Sequence, residues 1–125
     1  MSNKGNVCCM FKCKDANQAY KLAKKNLCFV ENYGSSCNGR CIHTSDTGER
    51  WLGKCKECGS YVLVQESEVW INDHYYIDYF PVIDSNHAKK LNAKYDGYQI
   101  EDLYPYRKLF VTNGEPLFRD FYLKY

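Results

Sequence analysis

The sequence predicts an α+β domain with a β-α-β-β-α-β order and a long loop inserted between its first helix and its central hairpin. Three observations lead there. A strand followed by a capped helix occurs twice, a pair of strand-like stretches around a turn signal lies between the copies, and a glycine- and cysteine-rich segment precedes that pair. The 125 residues, 45% apolar and 26% charged, suit one domain spanning 1–125 with a core of its own.

Residues 7–13, VCCMFKC, read as the first strand, with Cys9, Phe11 and Cys13 on one face by the period of two. Cys8, Cys9 and Cys13 are there expected as small apolar core residues, with a second metal site as the sharper alternative. Asp15 can N-cap a helix, Gln18 lies at capping-box spacing, and Ala16, Ala19, Tyr20, Ala23 and Leu27 form its apolar stripe, which should end near Asn26. Residues 31–60 are turn-rich, with Gly34, Gly39, Gly48, Gly53 and Gly59 among them, and form the inserted loop. Residues 61–70 and 74–82 read as a hairpin around 71–73. Asp84 and Ser85 cap a second helix with Ala88, Leu91 and Tyr95 on one face and Gly97 as its stop. A strand at 107–112, an Asn113-Gly114 turn and an aromatic hairpin or tail complete a C-terminal segment over 104–125. The repeat is visible in the letters: DANQAYKL at 15–22 aligns with DSNHAKKL at 84–91, with Phe11 and Phe80 four residues ahead of each. The resulting order resembles the ferredoxin-like arrangement.

Cys55-Lys56-Glu57-Cys58-Gly59 runs directly into a strand-like stretch. A C-x2-C turn aims two thiolates at one point, and the glycine allows the positive φ that turns backbone N–H groups toward the sulfurs. Cys37-Asn38-Gly39-Arg40-Cys41 supplies a second pair upstream, giving C-x3-C-x13-C-x2-C. Over residues 37–64, about a fifth of the chain, this pattern resembles the zinc-ribbon family. The resemblance implies one structural Zn2+ held by Cys37, Cys41, Cys55 and Cys58. The first pair has one residue more than the usual knuckle, so His43, or more remotely Cys28, is the substitute for one of its members. Four thiolates close a tetrahedral shell and leave no position for a reactant. A redox C-x-x-C is disfavoured, because that chemistry wants its first cysteine at a helix N-terminus and this pair feeds a strand.

Other groups invite functional readings. Arg40, Arg50, Lys54 and Lys56 interleave with Trp51 near the cysteine loop, a fingertip that zinc ribbons present to nucleic acid; a solvated loop face explains them equally well. Tyr75, Tyr76, Tyr79 and Phe80 crowd one strand, and alternation leaves about half of them for the surface, where Tyr75 and Tyr79 are candidates for partner contact. Asp73-His74 with Asn86, His87 and Asn92 suggests a comparison with His-Asn-His nucleases, although the family's spacing is missing. Glu66, Glu68, Asp73 and Asp78 read as a solvated strand face, and no phosphate-cradling or nucleophile-elbow motif occurs.

Net charge is +2, split into ten Lys and Arg against five Asp and Glu in residues 1–60 and seven against ten in 61–125. That balance does not favour a dedicated polyanion binder. The polar start reads as no signal peptide and no stretch approaches a membrane span, so a reducing cytoplasm is the expected compartment, where paired cysteines bind metal. The expectation is a non-catalytic, zinc-stabilised protein that docks on a protein or nucleoprotein. A small mobile-element inhibitor of a host nuclease or transcription factor is one concrete form. A DNA- or RNA-binding module and a metal-dependent nuclease are the alternatives, and neither a membrane nor a small-molecule substrate is expected.

Overall fold

The computed structural model describes residues 8–34, 47–69, 74–94 and 108–119. Among the described residues a 3-10 turn, Cys9–Lys12, precedes helix α1 (Ala16–Asn26). Strands β1 (Leu27–Gly34), β2 (Thr47–Cys55), β3 (Tyr61–Val69) and β4 (His74–Pro81) follow, then helix α2 (Ser85–Lys94) and strands β5 (Lys108–Thr112) and β6 (Glu115–Arg119). The six strands form one sheet in sequence order, β1-β2-β3-β4-β5-β6, and every neighbouring pair is antiparallel.

The α+β class therefore holds, while the arrangement differs from the ferredoxin-like order. A split βαβ unit needs a parallel pair joined through a helix, and the described strands form an antiparallel meander. Two segments account for the difference. Residues 9–12 turn instead of extending: Phe11 N–H donates to Cys8 O at 3.0 Å and Cys13 N–H to Met10 O at 3.4 Å. Consecutive Met10 and Phe11 are both buried, which a strand with one face on the core does not permit. The stretch expected as loop, 31–60, contributes the end of β1 and all of β2. Its glycines suggested turns, yet Gly53 sits inside β2, where a Cβ would come within 3.0 Å of the Trp51 ring.

Alternation along β3 divides the core into two layers. Val62 and Val64 face α1 and join Met10, Phe11, Ala19, Ala23, Ile77, Tyr79, Leu109 and Val111. Leu63 faces the other way, toward α2, with Leu52, Phe80, Val82 and Ala88. Each helix thus buries one stripe against an opposite face of the sheet. Both caps form as the repeat implied. Asp15 Oδ1 accepts from Asn17 N–H at 3.0 Å, and Asp84 Oδ1 accepts from His87 N–H at 2.8 Å while His87 Nδ1 accepts from Ile83 N–H at 3.0 Å. The exchange resembles a capping box, with histidine in the usual glutamate place and its bond reaching one residue further back, to Ile83 and not to the N-cap itself. Asn113 and Gly114 have φ of 49° and 85°, as a two-residue turn between β5 and β6 requires. Leu91's side chain, Tyr95, Gly97 and the 71–73 turn lie outside the described residues.

Candidate metal centre

The knuckle is built by the end of β2 and the start of β3. Cys55 N–H donates to Ser60 O at 2.9 Å and Gly59 N–H to Cys55 O at 2.7 Å. Gly59 has a φ of 78°, a left-handed conformation in which a side chain would be strained. Lys56 N–H donates to Asn26 O at 2.9 Å, which fastens this turn to the last residue of α1.

Against the knuckle lies the start of the 3-10 turn. Cys8, at φ −56° and ψ 144°, is its extended N-cap, and the chain folds at Cys9. That bend brings two adjacent thiols to one side, where an extended strand would send them to opposite faces. Cys8 Sγ and Cys58 Sγ are 3.8 Å apart, and Cys9 Sγ and Cys55 Sγ are 3.9 Å apart. All four sulfurs lie within 4.8 Å of one another.

This donor set fits a metal ion. A tetrahedron with metal–sulfur bonds of about 2.3 Å has edges of about 3.8 Å, close to the 3.8 and 3.9 Å of these two separations. A disulfide requires about 2.05 Å, and the described cysteines are free thiols. Electrostatics point the same way. Burial raises the Cys8 thiol well above its ordinary range, and the neighbouring sulfurs add to that. Burial, followed by repulsion from Cys58 and Cys55, pushes Cys9 up to about 11. At Cys58 burial also raises the value, but N–H donation from Cys9, at 3.4 Å, and from Ser60, with side-chain bonds from Ser60 and Cys55, brings it down to about 6. Four thiolates so close cannot all ionise unless a cation replaces their protons. Cys8 and Cys55 are buried, Cys9 is half-buried and Cys58 is exposed, so the cage meets solvent on one side.

Of the ligands expected from sequence, Cys55 and Cys58 are in the cage. Cys37, Cys41, their substitute His43, and Arg40 lie outside the described residues. Cys28 is exposed and is not part of the cluster, its Sγ lying 3.9 Å from Asn26 O. Cys8 and Cys9 correct the expectation of core filler: both stand at the cage, although Cys8 is also buried in the α1 layer. Three cysteines in six residues, just ahead of a capped helix, were the signal, and reading 7–13 as a strand concealed it.

The fingertip residues are dispersed. Arg50 is fully buried, with Nε donating to Gln65 Oε1 at 2.7 Å and a guanidinium nitrogen donating to Asn92 Oδ1 at 3.2 Å, so it is not placed to meet phosphate. Trp51 points to the opposite face, its Nε1–H donating to Glu66 Oε2 at 2.8 Å. Lys54 is exposed beside the Tyr61 ring at 5.5 Å, and Lys56 is exposed on the knuckle. Tyr75 is 40% exposed, whereas Tyr79 is in the core. His87 serves in the α2 cap and Asn92 on Arg50, while Asp73 and the His74 side chain lie outside the described residues. Asp78, expected on a solvated face, is buried, with Lys108 Nζ 2.8 Å from its Oδ1. No helix among the described residues is long and apolar enough to cross a membrane. No protein-family model, curated protein or solved structure matches the chain.

Proposed function

We propose that the chain is a zinc-stabilised, non-catalytic binding protein that docks on a protein or nucleoprotein partner. The sulfur cage carries this reading. Cys8, Cys9, Cys55 and Cys58 offer four sulfurs within 4.8 Å of one another, two of the separations at 3.8 and 3.9 Å, a set that suits Zn2+ and would fill every position of its shell. Bound zinc would supply a cross-link and no open coordination site. The chain's own part is to hold the 3-10 turn against the knuckle. That turn carries Met10 and Phe11 into the α1 core layer, so the cross-link steadies α1 and the sheet beneath it. Docking is supported by apolar side chains left on the outside of this framework: Phe29 at 63% exposure, Leu117 at 51% and Val30 at 44%.

Metal analysis of the purified protein should give one zinc per chain, and less than half an equivalent after purification without chelator sinks the metal half. For docking, a photo-reactive residue at position 29 should cross-link one partner. The partner, purified separately, should then bind the wild type and lose affinity for Phe29→Asp. Hydrolysis of phosphodiesters by the zinc-loaded protein would contradict the non-catalytic part.

A nucleic-acid module is the second reading, favoured by one observation. The outer side of α1 exposes Lys21, Lys24 and Lys25, and Lys56 is tied beside its C-terminus. Oligonucleotide affinity falling steeply with salt, and falling further in Lys21→Glu with Lys25→Glu, would favour it over protein docking.

A further inference from the structure

The α1 side of the sheet carries a second feature that the sulfur cage does not use. It crosses four adjacent strands, with Phe29 on β1, Glu49 and Trp51 on β2, Glu66 on β3 and Tyr75 on β4. Alternation puts Glu66 on the side of Val62 and Val64, and Tyr75 on the side of Ile77 and Tyr79. The Phe29 and Trp51 rings lie 6.0 Å apart at 34°, and Phe29 and Tyr75 are open to solvent. The Glu66 carboxylate lies between the aromatic groups, accepting from Trp51 Nε1–H at 2.8 Å and from the Tyr75 hydroxyl.

Glu49 and Glu66 are direct cross-strand partners. Like charges so placed destabilise a sheet, and among the described residues no Lys or Arg pairs with either. Partial burial first, then its bond to Glu66 and the charges of Glu66, Tyr20 and Glu49, raise the Tyr75 phenol above its ordinary range. At the α1 margin a cation already uses such a ring, Lys24 Nζ standing 4.2 Å from the centroid of Tyr20.

We propose that this strip is a docking surface for an arginine-bearing segment of a partner protein, with the guanidinium stacked on Trp51 and Tyr75 and paired with Glu49 and Glu66. Arginine suits the strip better than lysine because its planar fork stacks on rings and pairs side-on with carboxylates in one pose. Two carboxylates repel phosphate, so nucleic acid is not the occupant. The surface rests on the docking half of the proposed function and names its partner chemistry, and it does not depend on the metal, since its residues are fixed by strand pairing.

The test is a titration of the full chain, 15N-labelled, with a capped tetra-arginine peptide, followed at the Trp51 indole N–H that Trp51→Phe identifies. A saturable shift is expected, weakening about tenfold in Glu49→Gln with Glu66→Gln as two charged contacts are lost. The exposed Glu49→Gln alone should weaken it by about threefold, which keeps the test valid if the double variant misfolds. No saturation below about 1 mM overturns the proposal. So does an equal response to tetra-lysine or tetra-glutamate, or a response that survives both variants. Zinc content measured on the same samples separates this failure from failure of the metal centre.

Discussion

On the α1 face, segments nearly fifty residues apart in the chain meet as sulfurs, Cys8 with Cys58 and Cys9 with Cys55. On the α2 face, Arg50, Gln65 and Asp78 occupy one register position on three adjacent strands. Arg50 bonds to Gln65, and Lys108 from the next strand pairs with Asp78 at 2.8 Å. Both arrangements bury groups that are costly to desolvate. The α2 row satisfies its members from within the chain, and burial alone lowers Arg50 only to about 10, so the guanidinium stays charged near neutrality. The sulfur cage is different, since its four sulfurs can be thiolates together only where a cation takes the place of their protons. One face is therefore complete as a polypeptide, and the other, on the zinc reading proposed above, is conditional on an ion.

The largest effect should come from breaking the conditional side. Cys55→Ser or Cys58→Ser should lose the metal, and with it a stabilisation fed by about 10–16 kcal/mol of binding free energy in small structural zinc sites. Calorimetry should show a melting transition lowered by well over 10 °C or lost. Chelation of the wild type should raise amide exchange in the Cys9–Lys12 turn and α1 before it raises exchange in α2. Uniform loosening of both faces would refute the division drawn here.

The internally complete side should respond to Arg50→Ala. That change removes the guanidinium bonds to Gln65 Oε1 and Asn92 Oδ1 and empties a buried side-chain volume, and a cost of about 2–5 kcal/mol is expected. Denaturant unfolding measures it, and zinc content should stay at one equivalent. A loss of metal in this variant would mean that the two faces are coupled.

A smaller effect belongs to pH. Tyr79 is raised by burial first, then by Tyr20 and Glu66; Tyr33, in the α2 layer, is raised by burial and by its bond to Glu31. A phenol with a raised folded value contributes stability that is complete below the unfolded value of about 10 and is lost as pH climbs above it. Stability measured in denaturant should hold up to that point and then fall. Tyr79→Phe should make the fall shallower, and an unchanged slope would remove Tyr79 from the account.

Much of this was legible in the letters. Asp15 and Asp84 cap through short side chains at fixed spacing, Asn113-Gly114 needs positive φ, and the alternating residues of β3 and β4 state their own period. The knuckle at Cys55 and Cys58 was legible for the same reason, since its geometry is local. The N-terminal half of the cage was not. Whether VCCMFKC extends or turns depends on Met10 and Phe11 finding room under α1, and that is a tertiary fact. β2 was hidden because Gly48 and Gly53 look like punctuation, while Gly53 is there to admit an indole ring. Arg50 looked like a surface cation because its partners, Gln65 and Asn92, are distant in sequence.

The smallest expected effect is the most informative about that gap. Cys37 and Cys41 complete a ribbon-like spacing with Cys55 and Cys58, yet a tetrahedral thiolate site has room for four sulfurs, and Cys8 and Cys9 occupy the two remaining corners. The double change Cys37→Ser with Cys41→Ser should therefore leave one zinc per chain and an unaltered melting temperature. Cys8→Ser with Cys9→Ser should abolish binding. Cobalt substitution sharpens the comparison, because a four-thiolate site and a site that has lost two sulfurs differ in their visible spectra. If the first double variant empties the site and the second does not, the ribbon spacing names the ligands after all, and Cys8 and Cys9 return to being small apolar side chains beneath α1.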